Sequence, residues 1–377
     1  MTPLFSELRD EILANGPIGL DRYMALCLGH PIHGYYRNRD PFGVTGDFTT
    51  APEISQMFGE LVGLWIASVA AAMTPGRLIL VELGPGRGTL MADALRAISR
   101  VMPGLSFELH LVETSPVLKA LQAQRLEAYH PTWHEEVACL PEGPAIVIAN
   151  EFFDALPIRQ FQRTERGWCE RLVGLDPEVK ALVFGLSAEP DRTIAAEAPV
   201  GILLTLPGVA LDLTRRLAGR LALQGGVCLA IDYGHRHPGF GDTLQAVEGH
   251  RFVDPLARPG EADLTSHVDF AALAKAAESA GARVQGPVEQ RDFLLRLGLA
   301  ERAERLVRGG NKAQAGAVAA AFARLTETGR RGMGSLFKAM AFGHPGLRDL
   351  PGFETGDPPQ RANADIPTRS RQDPEKP

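Results

Sequence analysis

Glu82-Leu83-Gly84-Pro85-Gly86-Arg87-Gly88 is the stretch on which the fold turns. It follows the apolar run Leu78-Ile79-Leu80-Val81, which Pro75-Gly76 precedes, and it opens a segment over 89–100 with Leu90, Ala94, Leu95 and Ile98 on one face. A short apolar run bounded by turn residues reads as a strand buried on both faces, and the spacing after it as an amphipathic helix. Glycines between the two permit a tight turn and let a ligand approach the backbone near a helix N-terminus. A dinucleotide fingerprint needs G-x-G-x-x-G/A, but here the third glycine, Gly88, comes one residue early and Thr89 stands in its place. The spacing therefore disfavours a nicotinamide oxidoreductase.

The same alternation extends outward. Residues 107–112 read as a strand, 116–128 as a helix and 145–149 as another buried strand; 208–223 then read as a helix and 226–231 as an apolar strand ending in Asp232-Tyr233-Gly234. This order predicts a parallel sheet. Residues 158–186 alternate like hairpin material and read as an insertion. Further on, 239–264 are irregular, 268–280 are expected as a helix, and strands are expected near Val284 and Gln290, with the domain ending near 345. Before the sheet, 4–14 and 19–28 read as helices. A Gly/Pro/Tyr-rich loop over 29–52 holds His30, His33, Tyr35 and Tyr36 and is a candidate lid. Thr50-Ala51-Pro52-Glu53 has the form of a capping box that opens one long helix through Ile54, Met57, Phe58, Leu61, Trp65 and Val69. Residues 351–377 carry almost no large apolar side chains and are expected to be disordered.

Composition narrows the function classes. Hydrophobic residues are 45% and charged residues 22%, which suits a globular chain of 377 residues and excludes a collagen-like, coiled-coil or disordered one. A net charge of -6 argues against a general nucleic-acid or anionic-membrane binder. Cys27, Cys139, Cys169 and Cys228 are scattered, so neither a metal site nor a disulfide framework is expected and a reducing compartment is. Charges in the first residues leave no secretory or transit signal, no stretch is long and apolar enough to span a membrane, and a cytoplasmic location is the default.

Strand, acid, three glycines and helix in that order resemble motif I of S-adenosylmethionine (SAM) dependent methyltransferases. The resemblance implies that Glu82 meets the amino-acid portion of the cofactor and that Gly84, Gly86 and Gly88 line its methionine and ribose. Glu113, followed by Thr114 and Ser115, ends the next strand, where an acid accepts hydrogen bonds from ribose hydroxyls; the alternative is an acid that caps the helix at Pro116. Asn150-Glu151-Phe152-Phe153-Asp154-Ala155-Leu156-Pro157 ends a further strand at the edge where ligands bind. Asn150 is a candidate for the cofactor. Glu151 and Asp154 are candidates to orient a guanidinium, with the two phenyl rings flanking it, because two acids so placed call for a cation. The alternative makes Phe152 and Phe153 core and Asp154 a cap. His267 is a candidate substrate contact or a cap at a helix start, and Asp232 is open between a ligand role and none. His33, Tyr35 and Tyr36 close a lid or pack the loop.

Taken together, Gly46-Asp47-Phe48-Thr49-Thr50-Ala51-Pro52-Glu53-Ile54-Ser55, the glycine loop, Asn150 to Pro157, Asp232-Tyr233-Gly234-His235 and Ala262-Asp263-Leu264-Thr265-Ser266-His267-Val268-Asp269 resemble the MidA-like family, which contains the mitochondrial complex I assembly methyltransferase. The resemblance covers about 1–345. It implies an α/β, Rossmann-like SAM-dependent methyltransferase sheet (76–345) with a helical N-terminal cap (1–75), a β-hairpin insertion (158–205) and the tail at 351–377. The activity it implies is symmetric dimethylation of an arginine in the quinone-site 49 kDa subunit of NADH:ubiquinone oxidoreductase, with SAM as cofactor and S-adenosylhomocysteine as product. Glu151, Asp154 and His267 are the expected catalytic residues of a bacterial, cytosolic member. Two rivals share the cofactor loop: a small-molecule N- or O-methyltransferase, and a non-catalytic SAM-binding assembly factor.

Overall fold

The computed structural model describes residues 2–37, 41, 50–73, 77–329 and 332–356. Residues 38–40 and 42–49 of the candidate lid, among them the motif residues Gly46 to Thr49, the expected segment boundary at 75–76 and the chain beyond 356 lie outside them.

Helix α1 (Pro3–Asn15), strand β1 (Ile18–Gly19) and helix α2 (Leu20–Gly29) come first, then α3 (Ala51–Ile54) and α4 (Gln56–Ala72). The sheet begins with β2 (Leu78–Leu83), α5 (Thr89–Val101), β3 (Phe107–Val112), α6 (Pro116–Arg125), β4 (Thr132–His134) and β5 (Ala145–Asn150). Strands β6 (Arg159–Thr164), β7 (Gly167–Leu175), β8 (Leu182–Asp191) and β9 (Leu203–Leu206) interrupt it before α7 (Gly208–Gln224) and β10 (Gly226–His235) resume it. A small sheet of β11 (Leu244–Glu248), β12 (Arg251–Phe252) and β13 (Asp263–Ser266) leads to β14 (Val268–Asp269), α8 (Phe270–Ser279) and β15 (Arg283–Glu289). The described chain then runs through α9 (Gln290–Arg296), α10 (Leu299–Gly309), α11 (Lys312–Thr326), α12 (Met333–Leu336) and β16 (Phe337–Gly343).

The main sheet has the order β15-β16-β10-β5-β2-β3-β4, with β14 beside β10. It is not wholly parallel as the alternation implied, because β16 enters antiparallel between β10 and β15. The expected strand at Gln290 is instead the start of α9, and the irregular 239–264 hold the small sheet. β16 escaped the sequence reading because Phe337-Lys338-Ala339-Met340-Ala341-Phe342-Gly343 places alanines and a lysine where strands favour branched residues. Its neighbours supply the reason it forms: all seven residues are buried.

Register places the site. Leu83 lies opposite Val112 of β3 and Ala149 of β5, and Asn150 lies opposite Ile231 of β10. Three strands therefore end nearly level while β10 runs on to His235, which brings Gly84, Glu113, Glu151 and Asp232 into one row at the carboxyl edge. Apolar side chains of α4, α5 and α9–α11 cover one face of the sheet, and those of α7 and α8 cover the other. A third cluster joins α1 and α2 to the hairpin strands and the small sheet. β1 pairs with β7, so the first helices are tied to the inserted hairpins by backbone hydrogen bonds.

Three local expectations change. Thr50 makes no capping bond, and the helix divides at Ser55, whose hydroxyl accepts from Met57 N and caps α4. Helix α8 starts at Phe270, not Val268, because the Asp269 carboxylate accepts from Ala272 N. The first residues of the expected tail are packed: Trp65 Nε1 donates to Pro351 O at 3.1 Å, and the Phe353 ring lies 5.2 Å from that of Phe293.

Helices α4 and α5 cross closely through two glycines. A Cβ at Gly63 would lie 2.4 Å from the Ala94 carbonyl oxygen, and one at Gly59 would lie 2.6 Å from Asp93 Cβ. Gly63→Ala is expected to cost about 2–3 kcal/mol in urea unfolding, as an overpacked core does. The comparison is Gly316→Ala in α11, where nothing lies within 4 Å of the added Cβ. That variant should gain about 0.5–1 kcal/mol from lower unfolded-state entropy, and equal effects of the two would refute the close crossing.

Candidate active site

The level strand ends open onto a cavity of about 790 Å3. One side is the glycine loop. Gly84, Gly86 and Gly88 have φ of 59°, 53° and 74°, a left-handed region that residues with a Cβ avoid. Gly84 and Gly86 line the cavity, whereas Gly88 faces Gln122 and Leu126 at the start of α5. Glu82, at the end of β2, is buried and lines the cavity, and its Oε2 has no hydrogen-bond partner. Burial, with Glu113 nearby, pushes its carboxyl well above the ordinary range.

Glu113 is more engaged than a bare ribose acceptor. Its Oε1 accepts from Thr114 N and Ser115 N, both at 2.8 Å, and its Oε2 accepts from Gln122 Nε2 at 3.1 Å. It steadies the approach to α6 without capping it, since Ser115 is the cap and Glu113 is buried where the alternative placed an exposed acid, and it lines the cavity. Thr114 lines it too. Ser115 does not: its hydroxyl accepts from Leu118 N and caps α6.

The turn after β5 brings the acids together. Asn150 and Glu151 line the cavity, and Asn150 Nδ2 donates to Glu151 Oε1 at 3.1 Å, as does Ala51 N from α3. Asn150 Oδ1 is buried and without a partner. Glu151 has φ of 50°. Burial raises its carboxyl from 4.5 to about 7, and burial with Glu151 alongside raises that of Asp154 from 3.8 to about 7. Only one of the two phenyl rings flanks this space. Phe152 lines it, while Phe153 is buried in the core under β5 and β10.

His267 also lines the cavity, with its ring edge-on to Tyr233 at 5.2 Å and its Nε2 3.3 Å from Gln245 Nε2. It caps nothing, since Asp269 takes that role, and burial lowers its pKa, which favours the neutral imidazole. Tyr36 faces the cavity, Tyr35 is core, and His33 pairs with Glu7 at 3.2 Å.

Arg324 had no signal of its own in the sequence, and Glu53 and Tyr36, singled out for a capping box and a lid, make other bonds in the cavity. Glu53 accepts from the Thr89 hydroxyl and pairs with Arg87 at 3.5 Å, Tyr36 donates to Asp263 Oδ1 at 2.8 Å, and Arg324 reaches the mouth from α11. Asp263 belonged to a quoted motif, but pairing with a tyrosine 227 positions away leaves no local pattern.

Residues 61–288 match the family described as "Putative S-adenosyl-L-methionine-dependent methyltransferase". The chain is 37% identical over 91% of its length to a Drosophila melanogaster homologue of the mitochondrial protein arginine methyltransferase NDUFAF7, covering 85% of that protein. It is 36% identical over 83% of its length to Homo sapiens NDUFAF7, covering 77%. A Burkholderia thailandensis protein solved bound to S-adenosyl-homocysteine superposes with a TM-score of 0.81 at 30% identity, over 94% of this chain and 95% of that one.

The residues present fit SAM. Its ammonium and sulfonium are cations, and the cavity offers two buried, unpartnered acceptors, Glu82 Oε2 and Asn150 Oδ1, beside a glycine cradle. A Cβ at Gly84 would stand 3.0 Å from the Phe152 ring. Gly84→Val is therefore expected to abolish SAM binding in calorimetric titration while leaving the circular dichroism spectrum unchanged; undiminished binding would contradict the cradle.

Glu151 and Asp154 also make stability depend on pH. Their folded values near about 7 exceed the ordinary 4.5 and 3.8, so the folded chain binds more protons than the unfolded chain between those limits. Their stabilisation is full below about pH 4 and is lost as pH rises through about 7. Without ligand, Tm should fall from about pH 5 to about pH 8, and Asp154→Asn should make that fall shallower. Parallel curves for the two proteins would refute the buried pair.

Proposed function

Because the chain belongs to the family of SAM-dependent methyltransferases, we propose that it transfers the methyl group to an arginine side chain of a protein. The observation that carries this reading is the pair Glu151 and Asp154, two carboxyls lining one cavity whose values are raised by burial and, for Asp154, by Glu151 alongside. A guanidinium is planar and always charged, so its arrival restores both ionised forms and draws charge-assisted hydrogen bonds from them. The curated relatives named protein arginine methyltransferases support the same class of substrate.

Bound SAM supplies an electrophilic methyl group. The chain's own residues do the rest. Glu151, fixed through Oε1 by Ala51 N and Asn150, orients one guanidinium nitrogen, and Asp154, lining the same cavity, is the second carboxylate that holds the cation. Removing the proton before attack is unfavourable because the arginine pKa is so high, so a carboxylate takes it as the new carbon–nitrogen bond forms or just after. Phe152, Phe337 and Leu336 line the cavity and exclude water from the reacting atoms. His267, neutral and beside Tyr233, completes the wall.

The finer substrate in this reading is the quinone-site 49 kDa-type subunit of respiratory complex I, with one methyl placed on each terminal nitrogen. Purified subunit and labelled SAM test it: transfer to arginine is the expected result, and methylation of free metabolites with none of the protein would overturn it. Glu151→Gln should lower kcat by about a hundredfold or more with SAM affinity unchanged. For the wild type, kcat/KM should climb with pH through about 7, where Glu151 of the free enzyme ionises. Wild-type turnover in Glu151→Gln would end its assigned role.

A further inference from the structure

Asp232 is completely buried near the end of β10. Its Oδ2 accepts three consecutive backbone N–H groups, from Phe152 at 3.1 Å, Phe153 at 2.9 Å and Asp154 at 3.2 Å. Its Oδ1 accepts Tyr233 N at 2.9 Å. Successive amides converging on one oxygen form an anion nest, a feature that elsewhere in proteins captures phosphate or other bound anions. Here a side chain from the adjacent strand fills it. Glu151, the residue just before the nest, donates its own N–H to Ile231 O at 2.8 Å and holds φ at 50°, a conformation that persists only when its surroundings impose it. The next residue of β10, Tyr233, lines the same cavity as Asp154, and its hydroxyl favours the ionised form of the Asp154 carboxyl. From β13, Ser266 N donates to Asp154 O at 2.9 Å.

We infer that Asp232 is a positioning residue which, with the Tyr233 hydroxyl, sets where the Glu151 and Asp154 carboxyls point, without touching substrate itself. The inference rests on the arginine reading for its catalytic consequence, while its structural content stands apart from that reading. Two oxygens of Asp232 govern four backbone N–H groups, so the loop that carries both acids is fastened from the neighbouring strand and needs no ligand to take shape. An asparagine at 232 would turn an amide N–H toward either the nest or Tyr233 N and open that fastening.

Two variants give opposite signatures. In Asp232→Asn the loosened loop admits water to Glu151 and Asp154, and both carboxyls, followed by carbon-13 NMR titration, should fall by about one pH unit or more toward ordinary values. In Tyr233→Phe the ionised form of Asp154 loses a donor, so its carboxyl alone should move up. The other charged and titratable groups facing the pair, Tyr36 after α2, Glu82 of β2, Asp263 of β13, Arg324 of α11, His267 beside β13 and Lys338 of β16, are the same in both variants, but Asp232→Asn also removes a neighbouring charge that by itself lowers both carboxyls, so its kinetics and not its titration carry that variant. Kinetically, Asp232→Asn should lower kcat at least about tenfold with KM for SAM within about threefold of wild type. A folded Asp232→Asn protein with unmoved carboxyls and unchanged kcat would overturn the inference, as would kcat, SAM affinity and Tm all falling together. If Asp232→Asn does not fold, the direction of the Asp154 shift in Tyr233→Phe decides. Wild-type protein inactive on every arginine substrate would remove the arginine reading alone, since the titrations are read without turnover.

Discussion

Four carboxyl groups, those of Glu82, Glu151, Asp154 and Asp232, are buried near one another at the ends of β2, β5 and β10. Withdrawing a carboxylate from water is costly unless hydrogen bonds or a cation compensate, and each of these groups is raised well above its ordinary range. The surrounding structure meets the cost in two ways. Asp232 is compensated internally by four N–H groups. Glu82 keeps an oxygen unpartnered, and Glu151, with two donors on Oε1, and Asp154 line the cavity, so the rest of their compensation is left to ligands.

That division explains why the site sits where it does. A sheet whose strands end level offers a row of backbone positions with no further strand to pair, and the turns that leave it can point acids into a common space. The hydrophobic layers of α4, α5, α7 and α8 hold the sheet rigid beneath the row. The close glycine crossing of α4 on α5 brings α3 over the cavity, where Ala51 N reaches Glu151 and Glu53 reaches Thr89. Substrate selectivity then follows from electrostatics: a cavity with more acids than bases that cannot ionise fully while empty favours cations.

The candidate residues were legible to different depths. Glu82, Gly84 and Gly86 were readable because a strand, an acid, closely spaced glycines and a helix are contiguous in the chain. Glu151 and Asp154 were readable because two acids and two aromatics beside a buried strand have few inexpensive explanations. Gly88, which the resemblance placed on the cofactor, and Ser115, a cofactor candidate beside Glu113, turn instead to packing on Gln122 and capping α6. The N-terminal capping box at Thr50 had the right letters, yet its Glu53 bonds across space to Thr89.

The sequence by itself determined the alternating core, the glycine cradle and the acids that face it, because those features are short, contiguous and tied to the periodicities of helix and strand. Only the tertiary structure decided that β16 runs antiparallel inside the sheet, that Tyr36 meets Asp263 across 227 positions, and that Asp232 fills the nest beneath Glu151 and Asp154. The physical reason is range. Propensity and periodicity act over a few residues, whereas the cost of burying a charge is settled by whichever donors the completed fold brings within about 3 Å, and those come from strands remote in the chain.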